Sequence, residues 1–149
     1  GMRERGNDQW GDDYPTRAIY AADIERGVLW CAEDGETGTV LGAAAITCDH
    51  EPDYAGVPFR CPEPAAAMHR MAVEPSAQRR GVASALFSQF EREGRRLGVA
   101  ALRIDTYSRN DRMQALIVKQ GFTYVGDTHM AKRPLAYHCY EKLLKEDNS

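Results

Sequence analysis

Long apolar runs, a basic excess, paired cysteines and repeats are all missing from this chain, and each absence narrows what it can be. No segment approaches the roughly 20 apolar residues of a membrane-spanning helix, and no charged-then-apolar leader stands at the start. Membrane insertion and secretion are therefore not expected. Lysine and arginine number 19 against 22 aspartate and glutamate, a net charge of −3. A nucleic-acid or membrane-surface binder would favour a basic face, so neither partner is expected. The four cysteines, Cys31, Cys48, Cys61 and Cys139, include no C-x-x-C pair. No metal site is expected from them, and buried free thiols in a reducing cytoplasm are. Repeats, low-complexity tracts and linkers are absent as well, which makes residues 1–149 a single domain by expectation.

What is present is enough for a core: 43% of the residues are hydrophobic. Asp13-Tyr14-Pro15-Thr16 reads as a helix entry, with Gly27 as the stop. Val28–Ala32 and Thr39–Thr47 read as a hairpin around Glu33–Gly38, and Gly42 with its alanine neighbours makes the second strand thin enough to lie close under a helix. Residues Asp49 to Ala67, with Pro52, Pro58, Pro62 and Pro64, read as a long functional or mobile loop. Its Tyr54, Phe59 and Arg60 either line a pocket or pin the loop to the core. Met68–Val73 is a strand, and Val82, Ala83, Leu86, Phe87, Phe90 and Leu97 form the buried face of a helix that stops at Gly98. Val99–Thr106 is a further strand, and Asn110 can cap a helix that stops at Gly121. Phe122–Met130 and Leu135–Leu144 are the last two strands. A strand–helix–strand at the centre implies parallel pairing, while the hairpins imply antiparallel pairing. The expected class is α/β (α+β), a mixed sheet flanked by helices on both faces.

The centre of the chain carries the chemistry. Gln78-Arg79-Arg80-Gly81-Val82-Ala83 turns a strand into a helix. The start of a helix presents unpaired backbone N–H groups and the positive end of its dipole. Gly81 admits a ligand to the backbone, and two arginines add charge, so the turn suits phosphate. The plainer alternative is a solvated basic turn.

The pattern V-x-P-x-x-Q-R-R-G-V-A from Val73 to Ala83 resembles the pyrophosphate loop of the GNAT N-acetyltransferases. Asn110 followed by Lys119-Gln120-Gly121-Phe122 resembles the same family's N…K-x-G-F segment. The resemblance implies acetyl-CoA as acetyl donor and an amine-bearing acceptor, a small molecule or peptide, attacked directly in a ternary complex. It implies that backbone groups of Met71, Ala72 and Val73 pair with the pantetheine arm, and that Gln78, Arg79, Arg80, Gly81, Val82, Ala83 and Ser84 hold the pyrophosphate. Asn110 would bind further along the cofactor, although a helix N-cap explains it equally.

Acetyl transfer to nitrogen needs an ammonium to lose a proton, an oxyanion to be held and a thiolate to leave. Many members of the family place an acidic tyrosine four residues before the glycine of the G-F pair. Here that residue is Ile117, which leaves Tyr140, with Tyr137 behind it, as the acid on the last strand. For the base, His69, Asp105, His50 and Glu74 stay open. The alternative function is a non-catalytic acyl-CoA-binding sensor, which the loss of tyrosine at 117 favours. A generic phosphate or nucleotide module is disfavoured by the second motif. The opening QWGDDYP with the short amphipathic stretch after it resembles one branch of the family, and Met2 to Trp10 resembles only the end of the family's first helix, so the sheet is expected to lack the family's first strand and most of that helix. An uncovered edge of this kind recruits another chain, and a homodimer is the expectation, with a natural start further upstream as its rival.

Overall fold

Helical spacing and alternation resolve into three helices and six strands over residues 17–48, 54, 56–61, 64–78, 81–129 and 135–144, which the computed structural model describes. In chain order they are α1 (Arg17–Glu25), β1 (Leu29–Glu33), β2 (Val40–Thr47), β3 (Ala65–Val73), α2 (Val82–Leu97), β4 (Ala101–Tyr107), α3 (Asp111–Lys119), β5 (Thr123–Thr128) and β6 (Tyr137–Leu143). The strands form one sheet in the order β1-β2-β3-β4-β6-β5. Pairing is antiparallel for β1/β2, β4/β6 and β5/β6 and parallel for β3/β4, so the sheet is mixed as expected. The expected first-strand and first-helix features at residues 2–16 lie outside the described residues. No helix among the described residues is long and apolar enough to cross a membrane.

The chain divides into two compact units, one of Gly1–Ile46 with His69–Gln89 and the other of Thr47–Met68 with Phe90–Ser149. In the first, the β1–β2 hairpin turns on Asp34, whose Oδ1 accepts from the Glu36 and Thr37 N–H groups at 2.8 and 3.1 Å. Such an Asx turn is local chemistry, visible in the residue types alone. Gly42 marks a close approach. A Cβ there would lie 2.7 Å from Val82 Cγ1, 3.0 Å from the Ala72 carbonyl oxygen and 3.4 Å from Leu86 Cδ1. The start of α2 therefore seats on β2 at a position only glycine leaves open, as the thin strand suggested.

In the second unit β4 is central. It pairs with β3 from Ala65 to Met68 and with β6 along its whole length. Phe90, Leu102, Ile117 and Cys139 are the largest fully buried side chains, and Phe90 stacks on Phe122 at 6.1 Å. Two expectations shift here. β3 begins at Ala65 rather than Met68, because Ala65, Ala66 and Ala67 are small enough to enter the interior and pair with Ala101 to Arg103. Leu97, expected on the buried face, is 39% exposed, because it falls in the last turn of α2, where the chain is already leaving the helix.

The 49–67 loop is pinned to the core at Tyr54, Phe59, Arg60 and Cys61. Tyr54 is buried and donates to Asp105 Oδ2 at 2.6 Å. Phe59 lies 5.3 Å from the Tyr54 ring and carries the Arg103 guanidinium 4.1 Å over its face. The buried Glu141 accepts from the backbone N–H of both Arg60 and Cys61 at 2.9 Å.

The cysteines are all free, but only Cys139 is buried; Cys31 and Cys48 are exposed, contrary to the expectation of buried thiols. Alternation explains Cys31, which lies on a strand of intermediate-to-exposed residues. Burial, followed by the charges of Asp105 and Asp127, pushes the Cys139 thiol up to about 12. A disulfide-exchange reagent at pH 8 should therefore label Cys31 and Cys48 rapidly in the native protein, and Cys139 only after unfolding. A raised pKa means that the fold favours the neutral thiol. That contribution is complete below pH 9 and is lost as pH rises through about 12. Alkaline denaturation should accordingly be less steep in Cys139→Ala than in the parent. Rapid native labelling of Cys139 would refute the assignment.

Candidate functional site

In the first unit, β3 contains a backbone irregularity. Arg70 is the one non-glycine residue with positive φ among those described, at 54°. A left-handed residue with a Cβ costs about 1–2 kcal/mol, so something must hold it. Asp23 of α1 does. Its carboxylate, on a side chain 4% exposed, accepts from Arg70 Nε and from a second guanidinium nitrogen, both at 2.8 Å. The bidentate fork fixes both the position and the plane of the arginine head. The parallel ladder with β4 is recorded from Ala65 to Met68, and Arg70 follows almost at once. Met71, Ala72 and Val73 come next, half-buried and still extended.

After Val73 the chain makes a 3-10 turn at Pro75–Ala77, which the sequence reading passed over as a direct strand-to-helix junction. Arg79 and Arg80 lie outside the described residues. Gly81 has φ +82°, and among the described residues nothing comes within 4 Å of where its Cβ would be. The first helical hydrogen bond of α2 runs from Ala85 N–H to the Gly81 carbonyl at 3.0 Å. The N–H groups of Val82, Ala83 and Ser84 thus precede the helical ladder and point with its positive dipole end toward the turn. Val82 is buried against β2, Ala83 is half-buried, and Ser84 is exposed. A left-handed glycine at the head of a 16-residue helix fits an anionic pyrophosphate.

In the second unit, Asn110 caps α3. Its side-chain oxygen accepts from the Met113 N–H at 3.1 Å, which is the capping role weighed from sequence. The other end explains the G-F pair. Gly121, at φ +95°, gives its N–H to the Val118 carbonyl, and Phe122 gives its N–H to that of Ile117. Ile117 and Phe122 are both buried and occupy the two positions whose apolar contact completes this kind of C-cap. Ile117 is 0% exposed, so the position where the family often keeps an acid is filled here by a packing residue.

Tyr140 is 4% exposed, and among the described residues nothing hydrogen-bonds its hydroxyl. Burial, and then the Asp127 charge, raises its pKa above the usual phenol range. Tyr137 meets the Tyr107 ring at 5.2 Å between centroids, with the planes tilted by 57°. Of the four proposed bases, Asp105 accepts the Tyr54 hydroxyl, His69 and Glu74 are half-buried on or just after β3, and His50 lies outside the described residues.

Sequence reasoning missed one cluster. Across the β5–β6 ladder Tyr124 faces Tyr140 and Asp127 faces His138, and an irregularity between Tyr124 and Gly126 brings Tyr124 and Asp127 onto one side. Asp127 Oδ1 accepts from the Tyr124 hydroxyl at 2.7 Å and meets His138 Nδ1 at 2.6 Å. The Tyr124 hydrogen bond, with that of His138, holds the Asp127 carboxyl below its ordinary range against some desolvation. The Tyr124 ring stands edge-on to both His138 and Tyr140, at 5.3 and 5.8 Å. The available signal was alternation: His138 and Tyr140 sit two apart on one strand, and an acid sits near the end of the strand before it.

The chain matches the acetyltransferase (GNAT) family over residues 2–122. Comparison with curated protein sequences gives no match. Among solved structures it is similar to a GNAT-family acetyltransferase from Streptococcus agalactiae, at 25% identity and a TM-score of 0.73, over 97% of this chain and 83% of that one. It is similar to Naa20 of Chaetomium thermophilum in complex with a bisubstrate analogue, at 19% identity and a TM-score of 0.74, over 99% and 82%. A third similar structure is yncA of Salmonella typhimurium with its cofactor acetyl-CoA, at 22% identity and a TM-score of 0.63, over 89% and 73%. The last two likenesses speak to the fold.

Proposed function

The chain belongs to the acetyltransferase (GNAT) family, and on that premise we propose that it moves an acetyl group from acetyl-CoA to a primary amine of a small molecule or peptide, by direct attack in a ternary complex. The observation that carries this reading is the head of α2, where Gly81 at φ +82° has no described residue within 4 Å of its Cβ position and adjoins N–H groups that precede the helical ladder. In this reading Gln78, Arg79, Arg80, Gly81, Val82, Ala83 and Ser84 hold the pyrophosphate. Met71, Ala72 and Val73 offer backbone groups to the pantetheine arm, and Asn110 uses its amide nitrogen, since its oxygen is engaged in the cap. Tyr140 protonates the leaving sulfur. The buried tyrosine whose hydroxyl has no hydrogen-bond partner among the described residues supports that role. The protein works in the cytoplasm, where its free cysteines stay reduced.

One observation favours a second reading. Complete burial of Ile117 removes the family's usual acid, which suits a domain that binds acyl-CoA without turning it over. Two measurements decide. Calorimetry with acetyl-CoA should show one saturable site, and thiol release should appear when a panel of primary amines is added. Binding without release from any amine would select the sensor; no binding would refute both.

A further inference from the structure

The base was left open by the sequence. On the β5–β6 face a carboxylate and an imidazole lie side by side, Asp127 against His138. Asp127, held ionised by the Tyr124 hydroxyl, can only accept hydrogen bonds, so the short contact to His138 Nδ1 fixes the proton on that nitrogen. The lone pair of neutral His138 is then on Nε2, for which no partner exists among the described residues. The His138 and Asp127 side chains are 27% and 38% exposed, so a substrate can reach them. Tyr140, two residues along β6 on the same side, is the group already assigned to the other proton, and the Tyr124 ring abuts both. The opposite side of the strand belongs to the core, where Cys139 packs with Tyr54 and Ala67.

We propose that His138, oriented by Asp127, is the general base that takes the proton from the acceptor's primary ammonium; this rests on the acetyltransferase reading above. The ammonium gives one proton to Nε2. The freed nitrogen pair forms the C–N bond at the thioester carbon, and the C–S bond breaks with its electrons going to sulfur. Tyr140 gives its phenol proton to the sulfur and is restored by the second N–H proton, and the proton on His138 passes to water, giving amide, thiol and one proton. Asp127 is a positioning residue, and the exposed carboxylate beside two aromatic rings also suits a cationic acceptor.

The experiment has three readouts. With an amine that the wild type acetylates, His138→Gln should lower kcat/KM about a hundredfold or more and abolish the acid-side inflection of its pH profile. The acetyl-CoA dissociation constant should be unchanged. The titratable neighbours that the profile must be judged against are Tyr124 and His129 on or after β5, Cys139 and Tyr140 on β6, and Asp105 on β4. His129→Gln should keep both rate and profile. In the free protein, nitrogen-resolved NMR should find neutral His138 protonated on Nδ1, with that preference lost in Asp127→Ala. An Nε2-protonated tautomer, or a fully active His138→Gln with the parental profile, overturns the base. A wild type that binds acetyl-CoA but acetylates no amine overturns the acetyltransferase reading and this assignment with it.

Discussion

Gly81→Glu should weaken acetyl-CoA binding at least about tenfold. Among the described residues nothing lies within 4 Å of the Cβ position, so the effect does not come from collision with any of them. Two other terms act. At φ +82° any residue with a Cβ is strained by about 1–2 kcal/mol, which lowers stability. The carboxylate also fills the space a phosphate would take and repels it. A hydrogen bond to a charged group contributes about 1.5–3 kcal/mol, and about 1.4 kcal/mol is a factor of ten, so the loss of one suffices. Gly81→Ala separates the terms, because it keeps the strain without the charge. It should cost a similar amount in thermal stability and much less in affinity. Calorimetric titration of each folded variant checks this, and an unchanged dissociation constant in Gly81→Glu would place the pyrophosphate elsewhere.

Asp23→Ala should cost about 3–5 kcal/mol of folding stability, because breaking a buried ion pair strands the other charge's environment. The two side chains are 4% and 15% exposed, so solvent screens them little. For a chain of this length that is a fall of about 10 °C in midpoint. The same pair holds Arg70 at φ 54°, immediately before Met71 to Val73. Relaxation of Arg70 toward an ordinary extended backbone would shift those three residues along the strand. Affinity for acetyl-CoA should therefore fall along with stability, and Asp23→Asn, which keeps one acceptor, should lie between. Urea unfolding measures the first effect and calorimetry the second. A loss below about 1 kcal/mol would show that the bidentate pair is not what holds the bend.

Local chemistry explains why much of this protein was legible in its sequence. The hairpin turn needs only Asp34 and the N–H groups two and three residues on. The α3 caps need only Asn110 at one end and Gly121-Phe122 at the other, since every bond involved spans five residues or fewer. The head of α2 is written in the same way, by a glycine that tolerates positive φ just before an apolar helical stripe. Such features depend on short-range sterics and hydrogen bonding, and the same residues would produce them in many folds.

Tertiary structure decided what short range cannot. Asp23 and Arg70 meet across 47 residues, and nothing near either marks the other as its partner. Glu141 reads as an ordinary strand-end acid until two loop N–H groups from 80 and 81 residues away converge on it. Whether Tyr54 and Phe59 lined a pocket or pinned a loop depended on where Asp105 and Arg103 of β4 lay. Ile117 was visible as a departure from a motif, but only packing makes it a fully buried cap residue. His138 became a candidate base because the β5–β6 register sets it opposite Asp127. A shift of one residue would send it to the core side, since strand neighbours face opposite ways. Register is set by the whole sheet, and so the composition and turns of this chain determined its elements, while the pairing of those elements determined which of its acids and imidazoles could act together.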